Sequence, residues 1–129
     1  MAQYYVDAAR PDDSGDGLSW ATAKKTITAG LGLTSSGSDI LNVAAGSYSE
    51  GPDIVISSAG LTIKGPNAAL SPNTDVRVTE AVITGSGWGA TAVFQFGADD
   101  VTIEGFKFDG VRLGAPGDTT IGLLRVTNI

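Results

Sequence analysis

The sequence predicts an all-β solenoid, a chain coiling through three sheets, and three observations carry that expectation. Short apolar runs, Ile40 to Val43, Ile54 to Ile56 and Leu61 to Ile63, are separated by turn residues at 45–47, by Gly51-Pro52 and by Ala59-Gly60. Leu41 and Val43 alternate with Ile40 and Asn42, and Leu61 and Ile63 with Thr62 and Lys64, which is the period of a half-buried strand. The pattern then recurs. S-S-A-G-L-T-I-K-G at 57–65 returns as F-G-A-D-D-V-T-I-E-G at 96–105. Ala81 to Ile83 and Val93 to Phe96 precede the second copy as Leu41 to Val43 and Ile54 to Ile56 precede the first. A period of about forty residues marks units that bury their apolar face only by stacking on one another. Propeller blades would need tight hairpins such as Asn-Gly, and the chain has none.

Taken in order, Gln3 to Asp7 reads as a short strand, followed by a loop from Ala8 to Leu18 dense in Asp, Gly and Ser. Ser19 is a good N-cap, and Trp20, Ala23, Ile27 and Leu31 recur at helical spacing with Lys24 and Lys25 opposite. This predicts an amphipathic helix of about three turns, ended by Gly30 or Gly32, that caps the first coil. The first coil is expected over 39–65, a Pro- and Asn-rich loop over 66–75, a second coil over 76–105, and the start of a third from Phe106. The expected core is Leu41, Val43, Leu61, Ile63, Val82, Val101, Ile103, Phe106 and Phe108.

Three stretches also resemble a known family. G-S-D-I-L-N-V-A-A-G-S-Y-S-E at 37–50, G-L-T-I-K-G-P-N at 60–67 and V-T-I-E-G-F-K-F-D-G at 101–110 are similar to the opening of single-chain right-handed parallel β-helices of the pectate-lyase-like superfamily. Y-Y-V-D-A-A and S-G-D-G-L-S-W-A-T-A-K-K-T-I resemble the leader before their first coil. The resemblance implies a right-handed parallel β-helix with an N-terminal amphipathic capping helix. It implies one domain over 1–129, with strand and cap helix in 1–38 and two to three coils in 39–129, continuing in a longer parent protein. It further implies an extracellular, cell-surface or virion-surface setting. Function does not follow, because the superfamily spans polysaccharide lyases, hydrolases, tailspikes, adhesins and structural proteins.

Bulk composition narrows the chemistry. The chain has 129 residues, 42% hydrophobic and 17% charged, with a net charge of −6. Such a surface repels nucleic acid, and no basic patch overrides it. No apolar run approaches the roughly 20 residues that span a membrane, and Tyr4 and Tyr5 already read as strand rather than signal peptide. There is no cysteine and no histidine. Disulfides, thiol chemistry and histidine-based triads are therefore excluded within this chain.

The remaining candidates are few. Asp12, Asp13 and Asp16 lie on a Gly-containing loop and form a calcium candidate, although the closing Glu of an EF-hand loop is missing. A solvated turn feeding the helix is the plainer reading. Asn73-Thr74-Asp75 and Asp99-Asp100 resemble short carboxylate motifs of polygalacturonases, but the accompanying histidine and Arg-Ile-Lys motifs have no counterpart, so turn roles are expected. Arg77, Arg112 and Arg125 have no matching Asp cluster that would suit a lyase. Among the aromatics, Trp20 is expected to anchor the cap helix and Tyr48 to pack on the coil, which leaves Trp88 as the candidate carbohydrate contact. Finally, Leu124 and Val126 alternate around Arg125 in a strand-like end that is expected to pair with a second copy of the chain. The expected function is structural and non-catalytic, with no required cofactor. The alternative is a polysaccharide-acting enzyme fragment or carbohydrate-binding module.

Overall fold

The computed structural model describes residues 2–35, 38–50, 54–70, 76, 78–85, 94–96, 100–109, 113–114 and 124–127. The elements in chain order are β1 (Gln3–Val6), α1 (Ile27–Leu31), β2 (Ile40–Val43), β3 (Gly46–Glu50), β4 (Ile54–Ile56), β5 (Thr62–Lys64), β6 (Ala81–Gly85), β7 (Phe94–Phe96), β8 (Val101–Glu104), β9 (Lys107–Asp109), β10 (Leu113–Gly114) and β11 (Leu124–Thr127). They form one five-stranded sheet, ordered β1-β2-β5-β8-β11, and two three-stranded sheets, β10-β7-β4 and β3-β6-β9. Every described ladder is parallel.

The alternation seen in the sequence becomes columns in the large sheet. Tyr4, Leu41, Ile63, Ile103 and Val126 share one register column. Leu41, Ile63 and Ile103 are all buried, and Leu61, Val101 and Phe106 join them. Burying each such side chain stabilises the fold by roughly 1.5–3 kcal/mol. The neighbouring column, Tyr5, Asn42, Lys64, Glu104 and Thr127, holds mainly polar residues. One turn position recurs as well. Ser38, Gly60 and Asp100 each stand two residues before a paired strand position, and their φ values are 70°, 75° and 59°. This left-handed conformation is free to Gly and tolerated by Asp. Asp100 therefore occupies a backbone corner equivalent to Gly60, as the turn reading expected.

The expected fold class is corrected. A right-handed parallel β-helix needs a regular coil, and the ladders do not repeat regularly. Ile40 pairs with Thr62, 22 positions on, whereas Thr62 pairs with Thr102, 40 positions on, and Thr102 with Arg125, 23 positions on. About a third of the residues lie in strands, most of them short and parallel, and among the described residues no solenoid is evident. The forty-residue alignment also mispaired one segment. Leu41 to Val43 were matched with Ala81 to Ile83, yet β6 pairs with β3, the segment 46–50 that the sequence marked as beginning in a turn. The shift reverses the expected face of β6. Ala81 and Ile83 are buried and Val82 is only partly so, while the side chain of Phe108 lies outside the described set.

The amphipathic capping helix is corrected too. Its three turns shrink to five residues, α1, with Thr26 rather than Ser19 as N-cap. Thr26 Oγ1 accepts a hydrogen bond from the Ala29 amide at 3.2 Å. Ile27 is fully buried, but Trp20 is 48% exposed and anchors no helix. The physical reason lies in competing bonds. Asp16 and Ser19 hold 16–22 in turns, and Lys24 pairs with β1 instead of continuing a helix. Thr22, Thr26, Ile27 and Thr28, all β-branched, add little helical preference to resist this.

Candidate functional site

The two edges of the five-stranded sheet are built differently. At one edge, β1 is covered by the loop that follows it. The Tyr5 amide donates to the Gly17 carbonyl at 2.9 Å and the Asp7 amide to the Lys24 carbonyl at 2.8 Å. In return the Lys24 amide donates to the Tyr5 carbonyl at 3.0 Å. The outward amide and carbonyl of Tyr5, in the middle of β1, are thus satisfied within the chain, which helps an edge strand resist pairing with others.

Carboxylates hold that loop in place. Asp13 Oδ1 accepts from the Lys25 and Thr26 amides at 2.7 and 2.8 Å, and its Oδ2 accepts from Thr26 Oγ1 at 3.1 Å. Asp16 Oδ1 accepts from Thr22 Oγ1 at 2.6 Å and from the Leu18 amide at 3.0 Å, and these bonds hold its carboxyl below the usual carboxylate range. Asp12 is likewise lowered, by the hydroxyl and amide of Ser14. The calcium candidates Asp12, Asp13 and Asp16 therefore sit in one loop but turn their oxygens to separate donors. Among the described residues no group of three acidic or histidine side chains is placed to hold a metal.

Two further polar groups lock the closed side. Asp39 is buried and accepts from the Ser35 and Ala2 amides at 2.9 and 3.0 Å, which lowers its pKa. Tyr48, also buried, donates its hydroxyl to the Ala44 carbonyl at 2.8 Å and accepts from the Ala8 amide at 3.1 Å. Tyr48 packs against the core as expected.

At the other edge stands β11, the last strand of the sheet, paired with β8 among the described residues. Leu124 is in register with Val101 and Val126 with Ile103. The self-association candidates Leu124 and Val126 thus stand on β11 in the register columns of Val101 and Ile103, both buried.

A groove opens beside the closed edge, about 390 Å³ in volume. It runs past the C-terminal ends of β1, β2 and β5 and is bounded by Trp20 and the turn at Pro66 to Ala68. The Trp20 ring stands edge-on to Tyr5, with centroids 4.8 Å apart and planes at 67°. Sequence reasoning missed this site, because Tyr5 and Trp20 meet only once the loop has folded back. Trp88, the expected carbohydrate contact, lies outside the described residues, as do Asn73 to Asp75, Asp99, Arg77 and Arg112.

No helix among the described residues is long and apolar enough to cross a membrane. No family model, curated protein or solved structure matches the chain, so the motif resemblance gains no support from that side.

Proposed function

We propose that this chain is a non-catalytic structural element that assembles with a second copy of itself through the β11 edge of its largest sheet. One observation carries the reading, namely the inequality of the two edges. At the middle of β1 the Tyr5 amide and carbonyl are paired with Gly17 and Lys24, whereas among the described residues β11 stands last in the sheet. Adding a strand there would pair backbone groups and extend the column that runs through Leu41, Ile63 and Ile103. A two-fold axis perpendicular to the strand closes such an assembly as a dimer and makes the new pair antiparallel. The non-catalytic part rests on the use of the carboxylates. Asp12, Asp13, Asp16 and Asp39 all accept backbone amides, which suits fixing loops rather than transferring protons.

Light scattering after size-exclusion chromatography tests this. The chain is expected to run as a dimer at high micromolar concentration, and Leu124→Lys with Val126→Lys to convert it to a folded monomer. Gln3→Lys, on the opposite edge at β1, should leave the mass unchanged. A wild-type monomer, or a dimer that survives both lysines with the fold intact, removes the proposal.

A further inference from the structure

We propose that the groove beside Trp20 binds a neutral saccharide, with a pyranose ring stacked on the indole. Three features of the groove select that ligand. The first is the wall. Trp20 lines the groove and is half exposed, yet its ring is restrained by the T-shaped contact with Tyr5, so apolar ring surface is available at little further loss of side-chain freedom on binding. Pro66 and Ala68 supply an apolar rim on the far side. The second is the polar set. Asp7, Asn42 and Lys64 line the same space, giving a carboxylate, an amide and an ammonium group. Asn42 is oriented by its own bonds, since Nδ2 donates to Gln3 Oε1 at 3.2 Å and to the Tyr4 carbonyl at 3.3 Å. A ring of hydroxyls, each both donor and acceptor, satisfies all three types at once. A purely aliphatic ligand would desolvate them and offer no bond to the remaining acceptor sites of Asp7 and Asn42 or to Lys64.

Charge is the third feature, and it decides between neutral and acidic sugars. Asp7 and Lys64, one residue of each sign, both border the groove, and the chain carries a net charge of −6. A uronate would gain one cation and meet one carboxylate in a negative field, so an uncharged sugar is favoured. The volume of about 390 Å³ falls within the usual span of small-ligand clefts. This site is independent of the β11 edge, and neither reading needs the other.

Tryptophan fluorescence of the whole chain, titrated with cellohexaose, xylohexaose, maltohexaose and hexagalacturonate, tests the inference. Trp88→Phe isolates the Trp20 signal. Saturable change is expected with at least one neutral hexasaccharide, at a dissociation constant of about 1 mM or tighter. Lys64→Met should weaken binding about fivefold at unchanged thermal stability, and Trp20→Ala should abolish binding measured by ligand-detected NMR. Should Trp20→Ala fail to fold, Lys64→Met alone decides. Absence of saturation with all three neutral sugars overturns the proposal. So does tighter binding of hexagalacturonate, or affinity unchanged in Lys64→Met.

Discussion

The two edges of the five-stranded sheet answer the same physical problem in opposite ways. At β1 the problem is solved inside the chain. A loop of Asp, Gly and Ser residues folds back, gives its carbonyls at Gly17 and Lys24 to the strand, and is pinned by Asp13 and Asp16. At β11, among the described residues, the strand stands last in the sheet order. The difference teaches that edge protection here is a matter of polar bookkeeping in a loop, not of a helix lying across the end. The helix that is present, α1, is one short turn that contributes the buried Ile27, the partly buried Leu31 and a close approach of Gly30 to Val6 and Leu41.

The strongest way to break the closed edge is through that residue. Ile27 is fully buried against the core, so Ile27→Asp would bury an unpaired charge. Loss of soluble folded protein is expected, and unchanged thermal melting would show that the closed edge stands without α1. Next in size is Asp13→Ala. It removes three hydrogen bonds that tie the loop to the start of α1. A loss of about 1–3 kcal/mol is expected by chemical denaturation, and dimerisation at the β1 edge should then become detectable. No loss would show that the loop holds by packing alone.

Acid provides a smaller, graded probe of the closed side. Asp12, Asp16 and Asp39 all have pKa values lowered by hydrogen bonds from their donors. A lowered folded-state pKa means that the stabilisation is present above the ordinary carboxylate value of 3.8 and is lost as the pH falls through the folded value. Unfolding curves should therefore be flat near neutrality and steepen below about pH 4, and Asp39→Asn should flatten that acid limb. An acid limb parallel to wild type would remove Asp39 from the account. The smallest expected effect is that of calcium. Adding it or chelating it should move the melting temperature by less than about 1 °C, because the loop oxygens already have donors. A larger shift would turn the loop at 12–16 into an ion site.

Much of the strand pattern was legible before the structure. Ile40 to Val43, Ile54 to Ile56, Leu61 to Ile63 and Val101 to Glu104 all carry alternating or β-branched runs, and they fall within or overlap strands. The helix was over-read because Trp20, Ala23 and Ile27 fit a helical period while two of them are buried for another reason. Ala23 is buried from a turn-and-bridge segment that only the distant β1 could organise, and Ile27 from the short helix that starts after it. Segment 46–50 was taken to open in a turn because Gly46 and Ser47 are turn residues, yet it pairs along its full length with β6. Register between segments is a long-range property, and unequal spacings of 22, 40 and 23 positions defeat a search for a fixed period. The groove was hidden for the same reason, since Asp7, Trp20, Asn42 and Lys64 are far apart in sequence.

Asn67 gives the chain an address for inserted sequence. Its side chain is fully buried, donates to the Val78 carbonyl at 3.0 Å and accepts from the Val78 amide at 2.8 Å, as a neighbouring strand would. The segment between them is closed by a clasp that belongs to neither β5 nor β6. A closed loop pays only slowly for added length, roughly 0.6 kcal/mol for each doubling. Sequence inserted between Asn67 and Val78 is therefore expected to leave the ladders on either side in register, as an unchanged melting temperature would show, making this position a cassette for display.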